Sequence, residues 1–353
     1  MSDLYQRSIE IILEHQDPGG AYLASPNFPN YRYSWFRDGA FISYSMGRVG
    51  EYQSSEKFHR WAASTILNRA EIIERAVTKA RLGEPLTVED YLHTRYAVHG
   101  GEASEDWPNF QLDGFGTWLW ALGEHQRLSK KPLTSQLLKA AQLVAAYIGG
   151  LWNRPCFDCW EEFPDQVHPY TLAAIYAGLG AHAHISNTDH QPLLADIRSF
   201  LQDKAIHNGH YVKFIGSKAV DASLLGLAVP YQVFDPADPV IQTTVAEIEN
   251  RLRNRGGVHR YAQDTYYGGG EWLLLTAWLG WYYVLVNEMP RAVSLKRWIE
   301  AQADANGFLA EQIPATLIDP NHYEPWRQRW GEIANPLLWS HAMYIILADA
   351  ISA

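Results

Sequence analysis

Cysteine is almost absent from this chain. Two occur in 353 residues, Cys156 and Cys159, so no disulfide framework organises the fold. A structural zinc site would need two further ligands at matched spacing, and a redox-active Cys-x-x-Cys should open a helix after a strand. Neither context surrounds this pair, which is read as packing or reduced surface thiols, and no metal or cofactor is expected. Basic charge is also scarce: 29 Lys+Arg against 39 Asp+Glu leave a net charge of −10, which opposes a polyanionic partner such as nucleic acid. No long uncharged apolar run occurs, and the first ten residues carry no basic region ahead of an apolar stretch. These absences predict no membrane contact, no leader, and a cytoplasmic protein. Linkers rich in Ser, Gly or Pro are missing too. With 47% hydrophobic residues the chain can fill one large core, and a single domain over 1–353 is expected.

Strand signals are few as well, with one hairpin expected at 210–215 between Gly209 and Gly216. What is abundant is helical periodicity. Twelve segments bury one face at 3.6-residue spacing, at about 3–15, 38–49, 53–80, 112–128, 133–152, 167–186, 191–206, 221–228, 238–253, 271–286, 289–304 and 336–351. Most connections after even-numbered segments are short, as between antiparallel neighbours, whereas those after odd-numbered segments are long. Six helical hairpins in a ring, an all-α (α/α)6 barrel with one inner and one outer helix per pair, fit this alternation. In such a ring the long connections emerge at one end, and the chemistry-bearing segments with them.

Those segments are aromatic and acidic. The chain has 14 Trp, 20 Tyr and 12 Phe, and flat rings with polar edges suit sugar faces as well as helix packing. Glu161 and Glu311 each lie in a short aromatic, turn-rich stretch, Cys156-Phe-Asp-Cys-Trp-Glu-Glu162 and Gly307-Phe-Leu-Ala-Glu-Gln312. Two carboxyls in unlike surroundings are what glycoside hydrolysis needs, one to protonate the leaving oxygen and one to activate water. Trp160 beside Glu161 would exclude water and raise its pKa, as an acid requires. Glu162 competes for that role, although neighbours on an extended loop point apart. Glu311 should stay ionised, with the Gln312 amide as a positioning partner. Arg37 beside Asp38 reads either as a surface ion pair or as a donor–acceptor set for vicinal sugar hydroxyls.

Six ordered stretches resemble the glucoamylase family, glycoside hydrolase family 15, over nearly the whole chain. They are Tyr33-Ser-Trp-Phe-Arg-Asp-Gly39, Cys156 to Glu162, Val220-Asp-Ala-Ser-Leu-Leu-Gly226, Arg260-Tyr-Ala-Gln-Asp-Thr-Tyr-Tyr267, Phe308-Leu-Ala-Glu-Gln312 and Pro336-Leu-Leu-Trp-Ser-His341. The resemblance implies an (α/α)6 barrel that removes glucose from the non-reducing ends of α-glucosides with inversion. It makes Glu161 the general acid and Glu311 the general base. Arg37 and Asp38 match the pair that grips the terminal glucose, Trp35 and Trp107 the walls of its pocket, and Glu162 and Arg260 residues near the leaving sugar. Trp339 to His341 are expected to support the base-bearing loop.

The chain is shorter than many catalytic domains of that family, with no room for an N-terminal β-sandwich or a starch-binding module, so the expected substrates are small: isomaltose or short malto-oligosaccharides. Two alternatives accompany this reading. A trehalose hydrolase of the same family is separated by a disaccharide panel. A non-catalytic glucan-binding regulator is separated by the presence of both carboxyls, Glu161 and Glu311, and by a glucose-release assay.

Overall fold

A computed structural model describes residues 3–103, 107–254 and 256–353. Among these, thirteen α-helices follow one another: α1 (Asp3–Glu14), α2 (Phe36–Arg48), α3 (Tyr52–Leu67), α4 (Ala70–Leu82), α5 (Asp113–Ser129), α6 (Ser135–Leu151), α7 (Pro169–Ser186), α8 (Gln191–Lys204), α9 (Pro239–Leu252), α10 (Leu273–Leu285), α11 (Met289–Glu300), α12 (Tyr323–Trp330) and α13 (Leu338–Ser352). Among the described residues, strands are limited to three antiparallel pairs whose strands have two residues each: β1 (Ser34–Trp35) with β2 (Arg95–Tyr96), β3 (Ile206–His207) with β4 (His210–Tyr211), and β5 (Glu271–Trp272) with β6 (Gln312–Ile313).

The described residues form two compact units, one within 16–22 and 33–205, the other within 3–15, 23–32 and 206–353. In the first, α2 packs on α3 and α5, α5 on α7, and α6 on α3, α4 and α7. In the second, α10 packs on α11 and α13, and α13 on α1. Burial sorts the helices into two kinds. α2, α5, α10 and α13 are buried around most of their circumference, whereas α3, α6, α8, α9 and α11 bury a single stripe and carry charge on the other side. Close approach of α5 and α7 depends on glycine: a Cβ at Gly116 would lie 2.5 Å from Ala174 backbone atoms, and one at Gly178 would lie 2.6 Å from the Gly116 carbonyl oxygen.

Four local expectations are corrected. The segment expected as one helix over 53–80 is two, because Arg69 leaves helical geometry and turns its guanidinium back onto the Thr65 carbonyl, 2.9 Å away, capping α3. The stretch at 221–228 is a 3-10 helix, Ala222–Leu227, started by Asp221, whose side chain accepts the Ser223 N–H. The hairpin turns at Asn208-Gly209 rather than beginning after it. Both residues have positive φ, 49° and 82°, as the tight two-residue turn between β3 and β4 requires. α12 falls inside a stretch read as a connection, since its eight residues are too few for periodicity to stand out.

Candidate active site

Asp158-Cys-Trp-Glu-Glu162 folds into a closed turn. The Asp158 Oδ1 accepts the N–H groups of Trp160 and Glu162, each at 2.9 Å, while the Glu161 N–H reaches the Asp158 carbonyl and the Asp158 N–H reaches that of Glu162. This winding puts Glu161 in the left-handed region at φ 69°, at a cost of about 1–2 kcal/mol for a side-chain-bearing residue. The two glutamates therefore do not sit on an extended loop, as the sequence suggested. Asp158 coils them into a turn.

The carboxyl of Glu161 meets Trp35, whose Nε1 donates to Oε1 at 2.6 Å. Trp160, the neighbour expected to wall it, is buried in the same turn, and Trp35 and Trp107 contribute further indoles. Burial raises the Glu161 pKa above the ordinary carboxylate value. Arg37, Trp107, Trp35 and Gln111 pull the other way without cancelling it. Trp35 and Trp107 pack edge to face at 6.0 Å, with Glu162 half-buried beyond them in sequence.

Arg37 and Asp38, in the first turn of α2, are buried, so the surface ion pair is not what they form. Arg37 Nε lies 3.5 Å from Asp38 Oδ2, and Nη1 donates to Gln111 Oε1 at 2.9 Å and Asp113 Oδ2 at 3.3 Å. Burial pushes the Asp38 pKa up to about 6 against the pull of Arg37, and burial raises Asp113 as well. Although burial disfavours the Arg37 charge, Asp113 and Asp38 outweigh it, and the guanidinium stays cationic.

In the other unit, Glu311 is buried on a loop held along its length by the approach to α13. The Glu311 N–H donates to the Ala334 carbonyl at 2.9 Å, the Leu337 N–H to that of Leu309 at 2.9 Å, and Ser340 Oγ to that of Ala310 at 2.9 Å. His341 Nε2 accepts the Leu309 N–H at 3.0 Å, which assigns its proton to Nδ1, facing Ser8 Oγ at 2.9 Å. Tyr31 Oη donates to Glu311 Oε1 at 3.0 Å and lies 2.9 Å from Tyr266 Oη. Burial and the nearby Glu311 hold the Tyr266 phenol pKa well above its usual value. Gln312 is not the partner expected for Glu311: its Oε1 accepts the Gly270 N–H at 2.7 Å and its Nε2 donates to the Tyr266 carbonyl at 3.3 Å, closing the β5–β6 junction. Arg260 is buried, bonded through Nε and Nη2 to Asp264, with the Tyr261, Tyr266 and Trp272 rings 5.6, 5.3 and 5.1 Å from its Cζ.

Tyr31, Gln111, Asp113, Asp158 and Tyr266 were not singled out by the sequence, although Asp158 and Tyr266 lie inside two of its six motifs. Cys156 and Cys159 are buried, unbridged thiols rather than surface ones, and burial pushes Cys156 up to about 12, a pKa that keeps it inert. Among the described residues no group of three His, Cys, Asp or Glu could hold a metal ion, and no helix is long and apolar enough to cross a membrane.

Buried carboxyls with indole or phenol donors, in one unit beside a guanidinium–carboxylate pair, are compatible with glycoside hydrolysis. The chain belongs to glycosyl hydrolases family 15, whose family model matches residues 1–349. It is 39% identical over 360 residues to an isomaltose glucohydrolase of Kribbella flavida, covering 99% of this chain and 93% of that one. A solved glycosidase in complex with glucose superposes with a TM-score of 0.95 at 38% identity, over 99% of this chain and 96% of the other. A bacterial glucoamylase complexed with acarbose shares the fold, with a TM-score of 0.78 at 20% identity over 99% of this chain and 56% of its own length. The fold class is thus the all-α (α/α)6 barrel of the glucoamylases, and the protein is a glycoside hydrolase.

Proposed function

We propose that this enzyme is an inverting, exo-acting α-glucosidase that releases β-glucose from the non-reducing end of short α-glucosides, isomaltose first among them. The observation that carries the reading is the desolvated Glu161 carboxyl beneath the Trp35 N–H, with its pKa raised. A protonated carboxyl so placed serves as the general acid, giving its proton to the glycosidic oxygen as the C1–O bond breaks. Glu311, fixed by Tyr31, takes a proton from the water that attacks C1 from the opposite face, and the anomeric configuration inverts. Arg37 and Asp38 grip hydroxyls of the terminal glucose. Trp35, Trp107 and Trp160 bound its pocket, and Glu162 and Arg260 act on the leaving sugar. The identity to an isomaltose glucohydrolase supports isomaltose over longer glucans. The two buried, unbridged thiols are compatible with a cytoplasmic setting.

The test is a panel of isomaltose, maltose, trehalose and maltopentaose, with glucose release and the first anomer followed by proton NMR. Isomaltose should rank first and β-glucose should appear first. Initial α-glucose would overturn the inverting assignment, and trehalose ranking first would replace the proposed substrate.

A further inference from the structure

Arg95 has no part in the chemistry assigned above, yet it is almost wholly buried, at 1% exposure, among the aromatic walls of Glu161. Its Cζ lies 3.7 Å from the Trp107 ring centroid, 4.3 Å from that of Tyr33 and 5.4 Å from that of Trp35. We propose that Arg95 is the positioning residue of the general acid: its guanidinium clamps the two indoles that set the placement and protonation of Glu161. The inference rests on the reading of Glu161 as that acid.

Three observations join Arg95 to the carboxyl. The first is backbone register. Arg95 is the ladder partner of Trp35 in the β1–β2 pair, so its main chain is tied to the residue whose indole it faces. The second is the ring cluster, in which Trp35 and Trp107 meet edge to face at 6.0 Å with the cation over both. The third is the chain of contact onward, since the Trp35 Nε1 donates to Glu161 at 2.6 Å and Trp107 also favours the Glu161 anion. A leucine or methionine could fill space between rings without burying a charge. A planar cation does something they cannot: it is attracted to the ring faces and holds their planes in a defined relation. An indole tilted by loss of that contact would carry its N–H off the carboxyl, and misplacement on the scale of an ångström is felt strongly at a reacting group.

The sign of the effect on protonation follows. Indole N–H donors favour the carboxylate, so losing the Arg95 clamp that aims them should raise the Glu161 pKa and move the basic limb of kcat/KM to higher pH. The experiment compares wild type, Arg95→Met and Arg95→Lys on isomaltose and on α-glucosyl fluoride, whose leaving group needs little protonation, with pH profiles and Tm for each. Arg95→Met should lose about a hundredfold in kcat on isomaltose but about tenfold or less on the fluoride, with the basic limb displaced upward. Arg95→Lys, a point charge in place of a planar fork, should show the same two signatures at smaller size, and it carries the test if Arg95→Met does not fold. Equal losses on both substrates with an unmoved basic limb would mean a merely structural role and overturn the proposal, as would a folded Arg95→Lys with wild-type substrate ratio and limb. If wild type releases glucose from no α-glucoside, the catalytic reading itself fails. If wild type is active and the variants leave ratio and limb unchanged, only the role of Arg95 fails.

Discussion

Tyr31 Oη donates to Glu311 Oε1 at 3.0 Å while lying 2.9 Å from the Tyr266 Oη, so the proposed base is oriented by a phenol that a second phenol steadies. The Tyr31 hydroxyl carries one proton, and with that proton committed to Glu311 the contact with Tyr266 takes the Tyr266 proton. The two tyrosines thus act as one directional relay of donors toward the carboxylate.

Tyr31→Phe should therefore lower kcat on isomaltose by about tenfold to a hundredfold with KM little changed, because it disturbs the aim of the base rather than the grip on the sugar. Tyr266→Phe, one step removed, should cost less. Steady-state kinetics of the two variants and their double mutant check this, and strictly additive effects would show that the tyrosines do not act as a relay.

Replacing the acid should separate Glu161 from its neighbour. Glu161→Gln should reduce kcat on isomaltose by about a thousandfold, within the usual contribution of a general acid, and should recover largely on α-glucosyl fluoride. Glu162→Gln should show no such recovery. If Glu162→Gln is the variant rescued by the better leaving group, the two roles are exchanged.

Asp158 winds the turn that holds Glu161 in left-handed geometry by accepting main-chain N–H groups of Trp160 and Glu162. Asp158→Ala leaves two buried or half-buried N–H groups without their acceptor, which should destabilise the protein by about 1–3 kcal/mol and cost kcat on isomaltose. Asp158→Asn keeps an oxygen at the Oδ1 position and should recover much of both. Thermal unfolding and kinetics of the two variants decide, and an Asn variant no better than Ala would point to the Asp158 charge instead.

Asp38 predicts an unusual pH dependence of stability. Its pKa is raised from 3.8 to about 6, mainly by burial, so the folded state binds the proton more tightly than the unfolded chain does. The sign is that stability falls as pH rises from about 4 to about 6, and burial moves Asp113 and Glu161 in the same direction. Asp38→Asn removes the buried charge. Its Tm relative to wild type should climb across that window, by an amount on the order of 2 kcal/mol in stability, while its activity collapses for want of the carboxylate. A Tm difference that is constant from pH 4 to pH 7 would refute the linkage.

Much of this was legible in the chain. Helix positions could be read to within a few residues because the outer helices bury an apolar stripe at a fixed period and the inner ones form long, largely apolar runs, and both survive in the order of the residues. Where the period is short or interrupted, reading failed. α12 has too few turns to display one, and the break at Arg69 depends on a guanidinium folding back onto Thr65, which no pattern of apolar positions records. The buried thiols show the same limit, since a Cys-x-x-Cys reads alike whether its loop faces water or the core.

The order of residues by itself determined the all-α class, the six motifs and, through them, Glu161, Glu311, Arg37, Asp38 and Trp35 as candidates, with Trp107 implied by the family resemblance, because residue type and spacing are properties of the chain. Only the tertiary structure decided which groups surround each of them. The Trp35 N–H reaches Glu161 over a sequence separation of 126 and Tyr31 reaches Glu311 over one of 280, while Arg37 finds Gln111 and Asp113 more than 70 residues away. Whether a carboxyl is an acid or a base depends on such contacts, since a pKa is set by burial, donors and charges that folding assembles, and none of these is a property of the residue or its neighbours in sequence.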